Sequence, residues 1–224
     1  MEPKNTIVFD IIGTSFSLGN VQRALTRAGA PEPTLPLWFA QSLRDAFALS
    51  QAGGYQPLKS ILQAELPRTL GQLGGAIPPD QVEQVLAAFG QLEPQPGLTE
   101  LIPALAGRGW RLLALTNSSV DSVRALLQRT GLLGHFAALL STDQVRKMKP
   151  HPDVYELARR EAQGEIWMLA AHAWDIQGAI QAGFRTIFVS GLESGYLDVY
   201  PKPHITVTEL GDVLTALTRF GALR

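Results

Sequence analysis

Five short apolar runs punctuate this chain: Thr6–Phe9, Arg111–Leu115, Ala137–Leu140, Ile166–Ala170 and Thr186–Val189. Each has the length of a buried strand, and the last four are separated by stretches of helical periodicity. Strands that alternate with helices pack as a parallel sheet with helices on its faces. The expected fold class is therefore α/β.

The chain between the first two runs reads differently. From Ser17 to about Leu92 the pattern is helical: Leu18, Val21 and Leu25 share a face, as do Trp38, Phe47 and their neighbours, then Leu58, Ile61 and Leu62, and finally Val82, Val85 and Leu86. Breaks fall at Pro31-Glu32-Pro33, Gly53-Gly54 and Gly74-Gly75, and Pro78-Pro79 opens the last helix. Glu93-Pro94-Gln95-Pro96-Gly97 reads as a stiff hinge back to the sheet. The expected organisation is a sheet module of residues 1–16 and 94–224, with a helical module, residues 17–93, inserted after the first strand.

Composition excludes several classes of function. With 224 residues, 46% hydrophobic, the chain is large enough to bury a substantial core. Its 19 basic and 20 acidic residues are interspersed, which leaves no charge run for nucleic acid or an anionic membrane face. No stretch approaches the roughly 18 uninterrupted apolar residues of a membrane span. Glu2 and Asp10 interrupt the N-terminal stretch before an apolar run of signal length develops, so no secretory signal is expected. The absence of cysteine removes disulfides, thiolate metal sites and a Cys nucleophile, and fits a cytoplasmic address.

In open α/β sheets ligands bind outside the carboxyl ends of the strands. Asp10 ends the first run, Thr116-Asn117-Ser118 the second, Lys149 follows the third, and His172 with Asp175 follow the fourth. Each also has an ordinary reading: Asp10 in an Asx-turn, Thr116 to Ser119 or Asp175 as helix caps, Lys149 solvated. Their coincidence at one sheet edge favours a shared site.

Phe9-Asp10-Ile11-Ile12-Gly13-Thr14, Leu115-Thr116-Asn117, Lys149-Pro150 and Ala171-His172-Ala173-Trp174-Asp175 resemble the four ordered motifs of the haloacid dehalogenase superfamily. Lys149-Pro150-His151-Pro152-Asp153-Val154-Tyr155-Glu156-Leu157, with Ala173-Trp174-Asp175, is similar to the L-2-haloacid dehalogenase branch. The resemblance implies a Rossmann-like core with the helical module as a cap over the site.

Phosphatases of that superfamily carry a second Asp where this chain has Ile12, to protonate a departing alkoxide and later activate water. Halide is a far weaker base and needs no proton donor on departure. Mg²⁺ prefers several hard oxygen ligands, and Ala171-His172 stands where the pattern supplies an acid. The resemblance thus implies a hydrolase of carbon–halide bonds that works without a cofactor. Asp10 attacks a small 2-substituted carboxylic acid to form a covalent ester, which water then hydrolyses. Lys149 would keep Asp10 ionised; Thr14, Thr116 and Asn117 would hold the nucleophile or the substrate carboxylate; Asp175 would orient Lys149 or the hydrolytic water. His172 and Tyr155 match site-lining positions, although a core aromatic on a helix face is an equal reading of Tyr155.

The cap departs from the branch pattern. Alignment at Leu37-Trp38 puts Phe39 where an Arg receives the halide, and Ala170 stands where the branch has Ser. Arg44 lies five positions on from Phe39, turned by roughly 140° on a helix. Trp38 and Tyr55 are the cap donors that remain. Two further readings stay open: a Mg²⁺-dependent phosphatase binding the metal through Asp10 and Asp175, and a catalytically weak binding or scaffold protein. Trp38, Phe39 and Phe47 would line the pocket, fill the cap interior, or offer an apolar surface to a second copy of the chain.

Overall fold

The computed structural model describes residues 5–193 and 195–222. Strand β1 (Asn5–Phe9) enters the middle of the molecule, and the antiparallel pair β2 (Phe16–Ser17) and β3 (Glu93–Pro94) closes the base of a helical insertion. The insertion holds α1 (Gly19–Arg27), α2 (Thr34–Gln51), α3 (Leu58–Gln72) and α4 (Pro79–Ala87). The rest alternates: α5 (Leu98–Gly107), β4 (Trp110–Thr116), α6 (Val120–Arg129), β5 (Phe136–Ser141), α7 (Pro152–Glu161), β6 (Glu165–Ala170), α8 (Ala173–Gln181) and β7 (Arg185–Val189). The chain closes with β8 (Ile205–Val207) and α9 (Val213–Phe220).

The sheet has six parallel strands in the order β5-β4-β1-β6-β7-β8. β1 is central, with Phe9 level with Ala114 on one side and Leu169 on the other. Strands covered on both faces read as continuous apolar runs, and Ile7, Val8 and Phe9 are all fully buried. The carboxyl ends of β1, β4 and β6 therefore meet at one edge, where β1 gives way to Asp10. One apolar cluster runs from the sheet through Phe16 and Val21 to Trp38 and Leu66, so sheet and insertion share a core.

The insertion breaks where the Pro and Gly clusters stand. The stiff hinge read at Glu93–Gly97 is pinned: Glu93–Pro94 pairs with β2, and Gln95 N–H donates to Ser15 C=O at 2.9 Å. β8 is only three residues long, so no apolar run in the sequence marks it. Trp38 is fully buried inside the insertion, where its indole N–H donates to Leu62 C=O at 2.8 Å. This corrects its assignment to the substrate site: the indole needs a partner once buried, and α3 supplies one. Phe39 and Phe47 are half-buried and turned toward His172 and Trp174.

Candidate active site

Asp10 follows β1 directly and is 4% exposed. The chain then turns tightly, with Ile11 C=O accepting from the N–H groups of Ser15 and Phe16 and with Gly13 at φ +85°. An L side chain rarely adopts that φ, and a Cβ there would also lie 2.8 Å from His172 Nε2. The turn brings Thr14 back onto Asp10. Its hydroxyl donates to Asp10 Oδ2 at 2.6 Å and accepts the Ala171 N–H at 2.9 Å. Ser15 Oγ, which no motif singled out, donates to the Asp10 carbonyl at 2.6 Å.

Lys149 is fully buried beside it. Its ammonium donates to Asp10 Oδ1 at 2.8 Å, Asp175 Oδ2 at 2.6 Å and Leu115 C=O at 3.1 Å. An ammonium has three N–H donors, so Lys149 is saturated. Asp175, in the first turn of α8, is also fully buried; its Oδ1 accepts the Tyr155 hydroxyl at 2.6 Å. Asn117 Oδ1 accepts the Lys149 backbone N–H at 3.0 Å, which ties the loop before α7 to the end of β4.

Burial alone would push the Asp10 carboxyl up, but the Lys149 charge, His172, and the bonds from Lys149 and Thr14 outweigh it and hold the group below its ordinary value. Burial would likewise lower Lys149, and the two carboxylates raise it instead. Asp175 is pushed up by burial, with Asp10 adding to the effect against Lys149. Asp10 is therefore the carboxyl whose ionised form its neighbours favour.

A cleft of about 660 Å³ opens between α2 and this edge, lined in part by Leu35, Phe39, Phe47, His172, Trp174 and Glu193. His172 stands between cleft and nucleophile, its Nε2 3.9 Å from Asp10 Oδ2 and 3.3 Å from Ile12 C=O. Its ring stacks on Trp174 at 5.2 Å and 8°, and Phe39 leans on it at 6.4 Å. Nδ1 faces Glu193 Oε1 at 3.7 Å, while Glu193 Oε2 accepts the Ala173 N–H at 2.8 Å. Ile12 turns the other way, toward a smaller apolar cavity of about 240 Å³ with Leu58, Leu62 and Phe89.

Asp10, Thr14, Asn117, Lys149, His172 and Asp175 thus converge, and Phe39 faces them across the cleft. Three expectations need correction. Thr116 Oγ1 accepts the Ser118 N–H at 3.0 Å, a local turn bond, because the hydroxyl sits where β4 ends and the next backbone donor is free. Tyr155 lies behind Asp175, fully buried, and holds that carboxylate; it does not line the cleft. Tyr55 bonds the Asp143 carboxylate and Arg146 lies over its ring, so it joins insertion to sheet module at a distance from Asp10. Arg44 does line the cleft despite the expected rotation, but its guanidinium is engaged by Asp45 at 2.9 and 3.0 Å.

A divalent cation does not fit between Asp10 and Asp175. The Lys149 ammonium bridges the two carboxylates, and Ala171 and His172 add no hard oxygen side chain. Among the described residues there is no cluster of three or more His, Cys, Asp or Glu arranged for a metal. Nor is any helix among them long and apolar enough to cross a membrane.

The sequence pattern of the haloacid dehalogenase-like hydrolases matches residues 4–183. The chain belongs to this family. It is 29% identical over 225 residues to an (S)-2-haloacid dehalogenase of Xanthobacter autotrophicus, covering 97% of this chain and 84% of that one. Haloacetate dehalogenase H-2 of Moraxella sp. is 26% identical over 213 residues, 92% of this chain and 95% of its own. The structure of L-2-haloacid dehalogenase from Xanthobacter autotrophicus superposes with a TM-score of 0.85 at 27% identity, covering 96% of this chain and 98% of that one. A second structure of that enzyme, with chloropropionic acid covalently bound, has the same TM-score at 26% identity. For this haloacid dehalogenase-like chain, Ser15 and Glu193 are the site neighbours that sequence reasoning missed, while Trp174 stood in the Ala173-Trp174-Asp175 motif without a role of its own. Glu193 was within reach, because it follows β7 at the same carboxyl edge that marked the other residues.

Proposed function

We propose that this protein is a 2-haloacid dehalogenase acting on a small halogenated carboxylate through an ester on Asp10. The observation that carries the reading is Asp10 itself, held as a carboxylate by Lys149 and Thr14 and followed by Ile12 in place of an acid. Such a site has a nucleophile and no acid at the Ile12 position to protonate an alkoxide in the first step, which suits a leaving group that departs as halide.

Asp10 Oδ2, the oxygen on the cleft side, attacks the halogen-bearing carbon from the face opposite the halogen. The carbon–halogen bond breaks and its electrons leave with the halide. Oδ1 becomes the ester carbonyl, still in contact with the Lys149 ammonium. Water then adds to the Asp10 carboxyl carbon, and Lys149 stabilises the oxyanion that forms on Oδ1. Cleavage of the bond to Oδ2 releases the 2-hydroxy acid, and the oxygen from water remains on Asp10. Thr14, Asn117, Asp175 and Tyr155 hold the nucleophile and Lys149 in place, and Phe39, His172 and Trp174 bound the substrate cleft. The helical insertion acts as the cap. No metal enters, since the ammonium already occupies the position between the two carboxyls. The lack of cysteine fits a cytoplasmic enzyme.

The test is halide release from chloro-, bromo- and fluoroacetate and from both 2-chloropropionate enantiomers, in EDTA, with Asp10→Asn as the blank. Asp10-dependent halide, with one ¹⁸O from labelled water in Asp10 after a single turnover, is the expected result. No halide, together with Mg²⁺-dependent turnover of phosphate esters, would replace this reading with a phosphatase.

A further inference from the structure

The halide-displacing step needs no acid, but the hydrolytic step does. When the ester breaks at Oδ2 the product leaves as an alkoxide, a strong base that requires a proton. Ile12 cannot give one. The Lys149 donors are spent, and Asp175, closed off with both oxygens accepting hydrogen bonds, has no exposed path to the cleft. Thr14 donates to Oδ2, but its hydroxyl is as weak an acid as the departing alcohol, which leaves one ionisable group beside Oδ2. Resting on the dehalogenase reading, we infer that His172 is the general acid of ester hydrolysis, donating from Nε2 to Asp10 Oδ2, and that Glu193 is its positioning residue.

His172 is built into place for this. Its Nε2 lies 3.9 Å from Oδ2, beyond a direct hydrogen bond but within reach through one water. Stacking on Trp174 sets the ring plane, and the absent side chain of Gly13 leaves the space Nε2 occupies. Nδ1 faces Glu193, which is anchored on the N–H of Ala173 at the start of α8.

The charges around the ring favour the acid form. Burial opposes a charged imidazole, but Glu193, Asp10 and Asp175 together outweigh it, and the group is raised above its ordinary value. Arg44 across the cleft is bound to Asp45, and the Lys149 ammonium lies on the other oxygen of Asp10, paired there and with Asp175. Esterification removes the Asp10 charge, the anion nearest Nε2, so the imidazolium becomes a stronger acid at the step that uses it. The protons balance. His172 gives one to the departing alkoxide; of the two on the attacking water, one restores the imidazolium and the other leaves to solvent.

The experiment separates the two steps by rapid quench of the full-length enzyme with chloroacetate. His172→Gln is expected to release about one equivalent of halide per site and then stall. The ester should remain on the Asp10 peptide by mass spectrometry, with its decay slowed roughly 10²–10⁴-fold. In the wild type, ester decay should slow as pH rises through the His172 ionisation. Glu193→Gln, lacking the carboxylate that favours the imidazolium, should move that fall to lower pH. Normal turnover by His172→Gln, loss of its halide burst even at saturating chloroacetate, or an unmoved pH profile in Glu193→Gln would overturn the assignment. No halide from the wild type would overturn the dehalogenase reading, and the assignment with it.

Discussion

Replacing Lys149 with Met keeps the length and apolar stem of the side chain and deletes the charge that two buried carboxylates share. Lys149 is fully buried, with contacts of 2.8 Å to Asp10 and 2.6 Å to Asp175. Breaking a buried ion pair by removing one partner typically costs about 3–5 kcal/mol, because the remaining charge is left uncompensated. For a chain of this size about 1 kcal/mol shifts the melting temperature by about 2–4 °C, so Lys149→Met should melt roughly 6–20 °C lower at neutral pH. The pH dependence is the sharper test. Without the ammonium, burial raises both carboxyls above their unfolded values, and such groups oppose folding increasingly as pH climbs past the ordinary carboxylate range. In the wild type the depressed Asp10 carboxyl contributes stability at higher pH that is lost as pH falls. Both effects make the deficit smallest near about pH 4 and largest toward neutrality. Urea denaturation of both proteins between those limits, at matched m-values, measures it. A deficit under about 1 kcal/mol at pH 7, or one that does not vary with pH, would refute the claim that Lys149 compensates these carboxylates.

Phe39→Arg places a guanidinium at the wall of the cleft opposite His172, and the rate of the halide burst should rise about tenfold or more if the departing anion passes that wall. No gain in a folded variant would place the halide elsewhere. Ser50→Ala removes the hydroxyl that accepts the buried Met148 N–H at 3.1 Å, which joins α2 to the loop carrying Lys149. Leaving that donor unsatisfied should cost about 1–3 kcal/mol in urea denaturation, and a neutral result would mean that water replaces the hydroxyl.

The sequence was most legible where one local pattern decides one element. The apolar runs that became β1, β4, β5, β6 and β7 lie within two residues of the strands; β1, β4, β6 and β7 are interior strands covered on both faces, where few polar residues are tolerated. Asp10, Lys149 and Asp175 were legible because the carboxyl edge of a parallel sheet is a fixed place. Partners set by packing between distant segments were not. Trp38 is an aromatic on a helix like Phe39 beside it; only the crossing of α2 over α3 decides that one is buried against Leu62 while the other faces His172. Tyr155 likewise gives no sign of whether it meets solvent or Asp175, because that depends on how α7 seats against α8. Arg44 lines the cleft because the cleft is wide, and Asp45 takes its charge.

The burial of Lys149 also bears on what this site can recognise. A lysine at a substrate site ordinarily spends part of its donor capacity on the ligand, but here all three protons are committed within the protein before any substrate arrives. Lys149 can hold the nucleophile ionised and steady the oxyanion on Oδ1, because Oδ1 is already its partner. It cannot bind the substrate carboxylate without giving up one of its contacts to Asp10, Asp175 or Leu115. Recognition of an anionic substrate therefore falls to groups at the cleft wall. His172 is the one whose neighbours favour its cationic form and whose side chain reaches both the cleft and Asp10. Variants of His172 should then weaken substrate binding as well as ester hydrolysis, whereas variants of Glu193 should act on both only through the ionisation of the ring.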